Sequence, residues 1–550
     1  MIFIFNKNVF TIEKHTWKEK KFFKDSLFIE DKNYSIILNG VVLNKQSLLN
    51  GTQENWKDFV LRNIIEKGID WIHLIEGSFW GIIVNKSTKS VIVYGDKIQS
   101  KPVYYFEDND YLIVADNYYE LSSCLRLNYK RLSLNIESCY LMLTYGYTFE
   151  SKTLFNEIKR LLIGHYLELK SKKSKLVRFF QFRYEINSQI SDSDAIELMD
   201  FLFKAAIKNS FEKDLEYNFN HLVGLSGGLD SRMTTIAAHE LGYINQTNFT
   251  FSQSNYLDET IAKKIATDLK HEWIFKALDN GTFLKNVDEI TRLSGGNVLF
   301  YGLAHSNSIY KLLNFENFGI LHTGQLGDVI FSSFTKNSNV QNYAMGDGAY
   351  SKLLIQKIKS IRLEQEYENE EIFKLYIRGF YGANQGLLAA QKYTETYSPF
   401  YSPETISKLL TIPLEQRFNH RLYIKWINTK YPMASRYKWE KINTTINNPF
   451  KLKFGNKNLY VKNLLRMSME KLKIKRSGHN SLQNMNPLGY WYNSNKELKK
   501  FLDDYIEQNI NILEPYKELK KDCLLMYENG SPTEKNQVVS LLSGIRSQLD

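Results

Sequence analysis

The stretch HLVGLSGGLDSRMTTIAAHELG, residues 221–242, decides the fold of the C-terminal part of this chain. Leu222 to Leu225 is a short apolar run that predicts a strand, Ser226-Gly227-Gly228 predicts a tight turn, and a helix is expected from about Leu229. A strand feeding a glycine turn into a helix offers backbone N–H groups and the positive end of the helix dipole to an anion. Gly227 and Gly228 let the backbone approach a phosphate and can adopt positive φ if required, while Ser226 and Ser231 add hydroxyl donors. No lysine follows the glycines, so this is not a nucleotide P-loop. Asp230 at the helix start would repel a phosphate unless a cation stood between them, which points to Mg²⁺ bridging to phosphate oxygens. Taken alone, the same residues also read as an ordinary glycine turn with a carboxylate at the helix N-terminus.

Working outward, the rhythm changes near residue 190. Up to about 130, apolar or alternating runs such as YSIILNGVVL (34–43), SFWGIIV (78–84), SVIVYGD (90–96) and YLIVAD (111–116) predict strands. HYLELKSKKSKLVRFF then reads as a hairpin with a lysine-rich turn. From 190 the helical patterns AIELMDFLFKAAIKNSF and LDETIAKKIATDLKH alternate with the short strands HLVGL, TNFTF and EWIF, an order that predicts a parallel, helix-covered sheet. In the second helix Leu257, Ile261, Ile265 and Leu269 repeat every four residues on one face. Beyond 350 helices dominate to about 430. The reading divides the chain into 1–185, 190–450 and a basic, helical extension at 451–550.

With 550 residues the chain has room for two or three domains, and 43% hydrophobic with 24% charged residues is ordinary for a soluble globular protein. No apolar run reaches 18 residues, and the start MIFIFNKNVF lacks the features of a signal peptide. Cys124, Cys139 and Cys523 form no CxxC pair, which fits a reducing cytoplasm and neither a disulfide framework nor a zinc site. The net charge of +11 is concentrated in part at 451–476. A solvated basic face accounts for it, with a surface for an anionic substrate or partner as the alternative; no nucleic-acid recognition motif accompanies it.

The full string SGGLDS after an apolar strand resembles the pyrophosphate-binding loop of the ATP pyrophosphatase superfamily, and among its members asparagine synthetase and relatives such as β-lactam synthetases and lasso-peptide cyclases. The segment TNFTFSQSNYLDETIAKKIATDLKHEWIF is similar to that family's second strand and helix. LHTGQLGDVIF (321–331) is similar to its second magnesium-carboxylate segment, ETYSPFYSPE (395–404) to the segment with its glutamate, and RYKWEKIN (436–443) to that with its essential lysine. The resemblance implies ATP and Mg²⁺ as cofactors. It implies Leu225, Ser226, Gly227, Gly228, Asp230, Ser231 and Gly324 at the nucleotide, Asp230 and Asp328 on the metal, and Lys441, Glu395 and Gln325 in catalytic positions, with Lys438 as a competitor for the lysine role. It also implies a carboxylate substrate joined to ammonia or an amine, with a peptide or glycan precursor among the candidates and a homodimer left open.

The first 185 residues resemble the glutamine-hydrolysing domain of class II amidotransferases, an antiparallel αββα sandwich. Asn39-Gly40 matches the oxyanion-hole pair, IEGSFWGIIVN (75–85) a strand, and GDKIQSKPVYY (95–105) the segment keeping Asp96, Lys101 and Pro102, with Gly95 where the family has arginine. No cysteine precedes Cys124, so the thiol that would attack glutamine is missing and the domain is expected to be a glutaminase-inactive scaffold, with Asn39, Gly40 and Asp96 vestigial. Gln325 stands where asparagine synthetase has glutamate and β-lactam synthetase tyrosine. Its amide can orient a nucleophile but cannot take its proton. The expectation is an AMP-forming carbon–nitrogen ligase. The alternatives are a catalytically weak nucleotide-binding or assembly subunit, and a tRNA-modifying activity motivated by the basic surface.

Overall fold

The computed structural model describes residues 1–15, 21–128, 131–448, 451–454, 457–460 and 481–548. Its N-terminal part is built on strict alternation. One antiparallel sheet contains β1 (Ile2–Asn6) and β2 (Thr11–His15); the other contains β3 (Leu27–Glu30), β4 (Tyr34–Val42), β5 (Gly77–Asn85) and β6 (Ser90–Gly95). β7 (Tyr104–Glu107), β8 (Tyr111–Ala115) and β9 (Lys159–Arg160) join the first, and β10 (His165–Lys170) and β11 (Lys173–Arg178) the second. The orders are β2-β1-β8-β7-β9 and β11-β10-β6-β5-β4-β3. Phe3, Phe5, Leu112 and Val114 face Ile37, Trp80, Ile82 and Val93 between the sheets. The intervening residues Ile36, Leu38, Val42 and Phe79 point outward onto Trp56, Phe59, Val60 and Ile64 of the helix Trp56–Lys67. On the opposite outer face Ile2, Ile4 and Ile113 share a core with Leu121 and Leu125 of the helix Tyr118–Asn128. A period of two thus separates the two cores and forms the expected αββα sandwich. The expected hairpin is β10–β11, paired from His165↔Arg178 to Lys170↔Lys173.

The long helix Asp192–Glu216 leads into the parallel sheet, in which β12 (Asn220–Gly224), β13 (Gln246–Ser252), β14 (Glu272–Ala277), β15 (Phe318–His322) and β16 (Thr396–Tyr397) run in the order β14-β13-β12-β15-β16. Every neighbouring pair is parallel. The helices Leu229–Glu240 and Leu257–Leu269 make the crossovers from β12 to β13 and from β13 to β14. The order reverses at β12, where the chain steps to β13 on one side and β15 lies on the other. In open α/β sheets the crevice beyond the strand ends at such a point is where ligands bind.

The segment from 451 begins not as helix but as two antiparallel strands, β17 (Lys451–Phe454) and β18 (Lys457–Tyr460). The rest of the basic run at 461–476 lies outside the described residues. Beyond it lie the helices Lys496–Asn509, Lys517–Asn529 and Pro532–Arg546, and the last of them joins both halves of the molecule. Its Gln537 side chain donates to the Met142 carbonyl at 3.4 Å, and its Ser540 hydroxyl accepts from Phe300 N–H at 3.1 Å. A Cβ on Gly544 would lie 2.8 Å from the Gly296 Cα, so the two glycines allow this close crossing. No helix among the described residues is long and apolar enough to cross a membrane.

Candidate active site

A cleft of about 680 Å³ opens beyond the carboxyl ends of β12, β13 and β15, within the size range of small-molecule sites. Leu225, Ser226, Gly228, Asp230, Ser231, Gly324, Gln325, Asp328 and Lys441 all line it. Gly227 lies directly behind this wall, its N–H donating to Asp258 Oδ1 at 2.7 Å. Ser226 N–H donates to Ser231 Oγ at 2.9 Å, and Gly228 N–H to Ser226 Oγ at 3.2 Å. The turn is therefore cross-braced by the two serines that the sequence marked as anion donors. Gly228 is the N-cap of the helix Leu229–Glu240 with no side-chain cap, so the helix presents its first turn to the cleft uncapped.

The glycines serve a purpose other than the left-handed backbone considered from sequence. Gly228 has φ −69°, and none of Gly227, Gly228 and Gly324 has positive φ. Close approach is what requires them. A Cβ on Gly324 would lie 2.3 Å from Ser231 N, and one on Gly327 would lie 2.4 Å from Asp230 Cγ. The two loops meet backbone to backbone, and this contact sets the two carboxylates beside each other. Leu326, between these glycines, and His420, at the cleft wall, are held with φ of 66° and 61°, the strained left-handed region.

Asp328 N–H donates to Asp230 Oδ2 at 2.8 Å, and Tyr423 hydroxyl donates to Oδ1 at 2.9 Å. Burial, and next the charge of Asp328, hold the Asp230 carboxyl well above the usual carboxylate range. Among the described residues neither carboxylate has a lysine or arginine ion-pair partner. Two carboxylates from separate loops, each with free lone pairs and no counter-charge, fit a Mg²⁺ ion, which takes few protein ligands and keeps its waters. Two further acids stand behind the turn. Burial pushes Asp258 up to about 6 and Glu440 up to about 7, the latter reinforced by Asp258 itself.

Lys441 reaches the cleft at the end of a braced segment, its Nζ 5.3 Å from the centre of the Trp439 ring. The brace is Arg232, fully buried and five residues after Gly227. Its guanidinium donates to the carbonyls of Gly227 at 3.0 Å, Ala434 at 3.1 Å and Tyr437 at 3.3 Å, and also to that of Lys438. One side chain thus fixes the glycine turn to the segment that carries the lysine. Lys438, the competitor from sequence, does not line the cleft. Gln325 does, but its amide donates to the Ala383 carbonyl at 2.6 Å, which ties down the group considered for orienting a nucleophile.

Glu395 is not brought to the cleft. It is buried at the start of β16 and ion-paired with Lys101 of the N-terminal part, and its backbone carbonyl accepts from Leu321 N–H at 2.9 Å. Of the amidotransferase-like residues, Asp96 lines a second cavity of about 410 Å³, beside Gly77, Phe79 and Tyr401. Gly40, at φ +135° with the Ser78 carbonyl 2.1 Å from where a Cβ would stand, exchanges hydrogen bonds with the Ser26 hydroxyl. Asn39 donates to Asp116 at 3.3 Å, and Asp116 also takes the Met1 ammonium at 2.6 Å. Asp96 accepts from the Ser100 hydroxyl at 2.6 Å and from three backbone N–H groups, organising the turn after β6. Sequence reasoning missed Arg232, Asp258, His420, Tyr423 and Glu440 as site residues. Arg232 and Asp258 lie inside quoted motifs, and only their burial reveals what they do.

Among curated proteins none matches this sequence. Solved structures give distant overlays. An allosteric regulatory enzyme of purine biosynthesis is 12% identical at a TM-score of 0.20, covering 45% of this chain and 61% of that one. Glutamine phosphoribosylpyrophosphate amidotransferase from B. subtilis, complexed with ADP and GMP, is 12% identical at 0.21, covering 67% and 79%. NMN synthetase from Francisella tularensis is 15% identical at 0.19, covering 42% and 97%. At these TM-scores the overlays carry no argument. Residues 24–180, which hold β3 through β11, match the family of glutamine amidotransferase domains.

Proposed function

We propose that the protein is an ATP-dependent ligase that activates a carboxylate as its acyl-adenylate and transfers the acyl group to ammonia or an amine. The observation that carries this reading is the grouping of Asp230, Asp328 and Lys441 around an uncapped helix start on one cleft. The Ser226–Ser231 turn and the uncapped helix start would receive the phosphates of ATP. Asp230 and Asp328 would hold Mg²⁺, which when bound would supply charge neutralisation to the triphosphate. A carboxylate oxygen of the acid attacks the α-phosphorus, the bond from that phosphorus to its bridging oxygen breaks, and pyrophosphate leaves with the electron pair. Lys441 stabilises the negative charge gathering on the α-phosphate. The amine nitrogen then attacks the acyl carbon, AMP leaves, and the nitrogen loses a proton.

In this reading the cysteines of the given sequence do not serve glutamine hydrolysis, the first of them, Cys124, sitting half-buried in the helix Tyr118–Asn128. A second reading, a nucleotide-binding subunit with weak turnover, draws its support from Gln325, whose amide is engaged by Ala383. The test is nucleotide fate. Protein, Mg²⁺ and ATP are incubated with pooled acids and amines, and AMP and pyrophosphate are assayed against an Asp230→Ala control. Acid-dependent AMP that disappears in the control is expected. Tight ATP binding with no AMP from any pool would favour the second reading.

A further inference from the structure

The charged side chains of the cleft gather at one end. Its acidic side chains, Asp230, Asp258, Asp328 and Glu440, all gather about the glycine turn, and Lys441 is the one lysine or arginine lining it among the described residues. Away from the turn the wall includes Tyr147, Leu299, Tyr301 and Leu387, with the uncharged polar side chains of Ser306 and Asn486. His305 adds no charge there, because burial lowers it to about 4. Two glycines complete this end. Gly302, in the helix Phe300–Tyr310, and Gly386 both line the cleft, and a Cβ on either would meet no atom of the described residues within 4 Å. Gly302 has no backbone reason to be glycine, since its φ is not positive and alanine would favour the helix. The space in front of both is therefore room for a ligand.

We propose that this end of the cleft is the acyl subsite and takes a monocarboxylic acid with a bulky aromatic or aliphatic body, discriminating against acids that carry a second charge. The proposal rests on the ligase reading for the direction of the carboxylate, which faces the turn. A dicarboxylate or amino acid would place its extra charge where, among the described residues, no lysine or arginine lines the wall to balance it. An apolar body gains from each methylene buried.

The test measures binding of defined acids to the full chain by saturation-transfer NMR, with 3-phenylpropionate and octanoate against succinate and aspartate. Signals from the first pair and none from the second are expected. Gly302→Leu and Gly386→Leu each put bulk into that space, and each is expected to weaken 3-phenylpropionate at least tenfold, in line with what bulk in a shaped pocket achieves. Gly302→Lys is expected to admit succinate. Melting temperatures establish that each variant is folded. Preference of the wild type for aspartate or succinate, binding of neither pair, or 3-phenylpropionate affinity unchanged within twofold in both leucine variants would overturn the subsite. AMP release is scored separately. If it is absent while acid binding follows the glycine substitutions, the ligase reading fails and the subsite stands.

Discussion

Arg232→Lys tests whether one buried guanidinium couples the glycine turn to the lysine segment. Arginine makes four bonds there from two nitrogens to the carbonyls of Gly227, Ala434, Tyr437 and Lys438. Lysine has one nitrogen and cannot span acceptors that the planar fork reaches from two directions, so at least two carbonyls lose their donor. Burial lowers the Arg232 guanidinium to about 10, with the charge of Glu440 opposing the shift. Two lost bonds to a charged donor, at about 1.5 kcal/mol each, make the loss about 3 kcal/mol. For a domain of this size that lowers the melting temperature by about 6–12 °C, read by scanning calorimetry. The same change releases Trp439 to Lys441 from the turn, and a displacement of about 1 Å costs roughly a hundredfold in rate. ATP affinity and AMP formation are therefore expected to fall more than stability alone explains. A variant that melts within about 2 °C of wild type and binds ATP equally well would refute the coupling.

Glu440 makes the unliganded protein sensitive to pH in a direction opposite to most carboxylates. Its folded value near 7 exceeds the ordinary 4.5, so the folded state holds the proton more tightly. The stabilisation is full below 4.5 and lost as pH rises through 7, amounting to about 3 kcal/mol. Denaturation midpoints measured from pH 4.5 to 8 should fall across that window, and Glu440→Gln should flatten the fall; an equal slope in the variant would contradict the assignment. Lys101→Met strands the buried Glu395 charge and should cost about 3–5 kcal/mol, whereas Lys101→Met with Glu395→Leu should recover most of it. A double variant that stays as unstable as the single one would count against a mainly structural pair, and retained AMP formation in it would separate Glu395 from the chemistry.

Period-two and period-four patterns were legible because burial on one face leaves a direct imprint on the residues. Ile36 to Leu38 and Phe79-Trp80 show each strand feeding two cores, and Leu257 to Leu269 shows a helix with one. The site was legible wherever its residues sit in one short string, as at Ser226 to Ser231. It was not legible where a role depends on what a residue meets across the fold. Glu395 sits in a motif that points to catalysis, yet its neighbour in space is Lys101, 294 residues away in sequence. Arg232 sits in the quoted string and reads as a surface charge on a helix until the four carbonyls around it are known.

The positions of the glycines carry this reasoning a step further. From sequence, glycine beside a helix start suggests unusual backbone angles, and here those angles are ordinary. Gly324 and Gly327 instead remove the side chains that would hold two loops apart. The outcome is an electrostatic one, with Asp328 N–H on the Asp230 carboxylate and the Asp328 charge raising its neighbour's proton affinity. Two carboxylates forced together by steric absence, with no lysine or arginine ion-paired to either among the described residues, form a site whose stability improves when a divalent cation enters. The same residue type at Gly302 and Gly386 does the opposite, since none of the described residues packs where the side chain is missing. In one place glycine brings protein to protein. In the other it leaves space, and the space lies where the acid must sit if its carboxylate is to reach the turn.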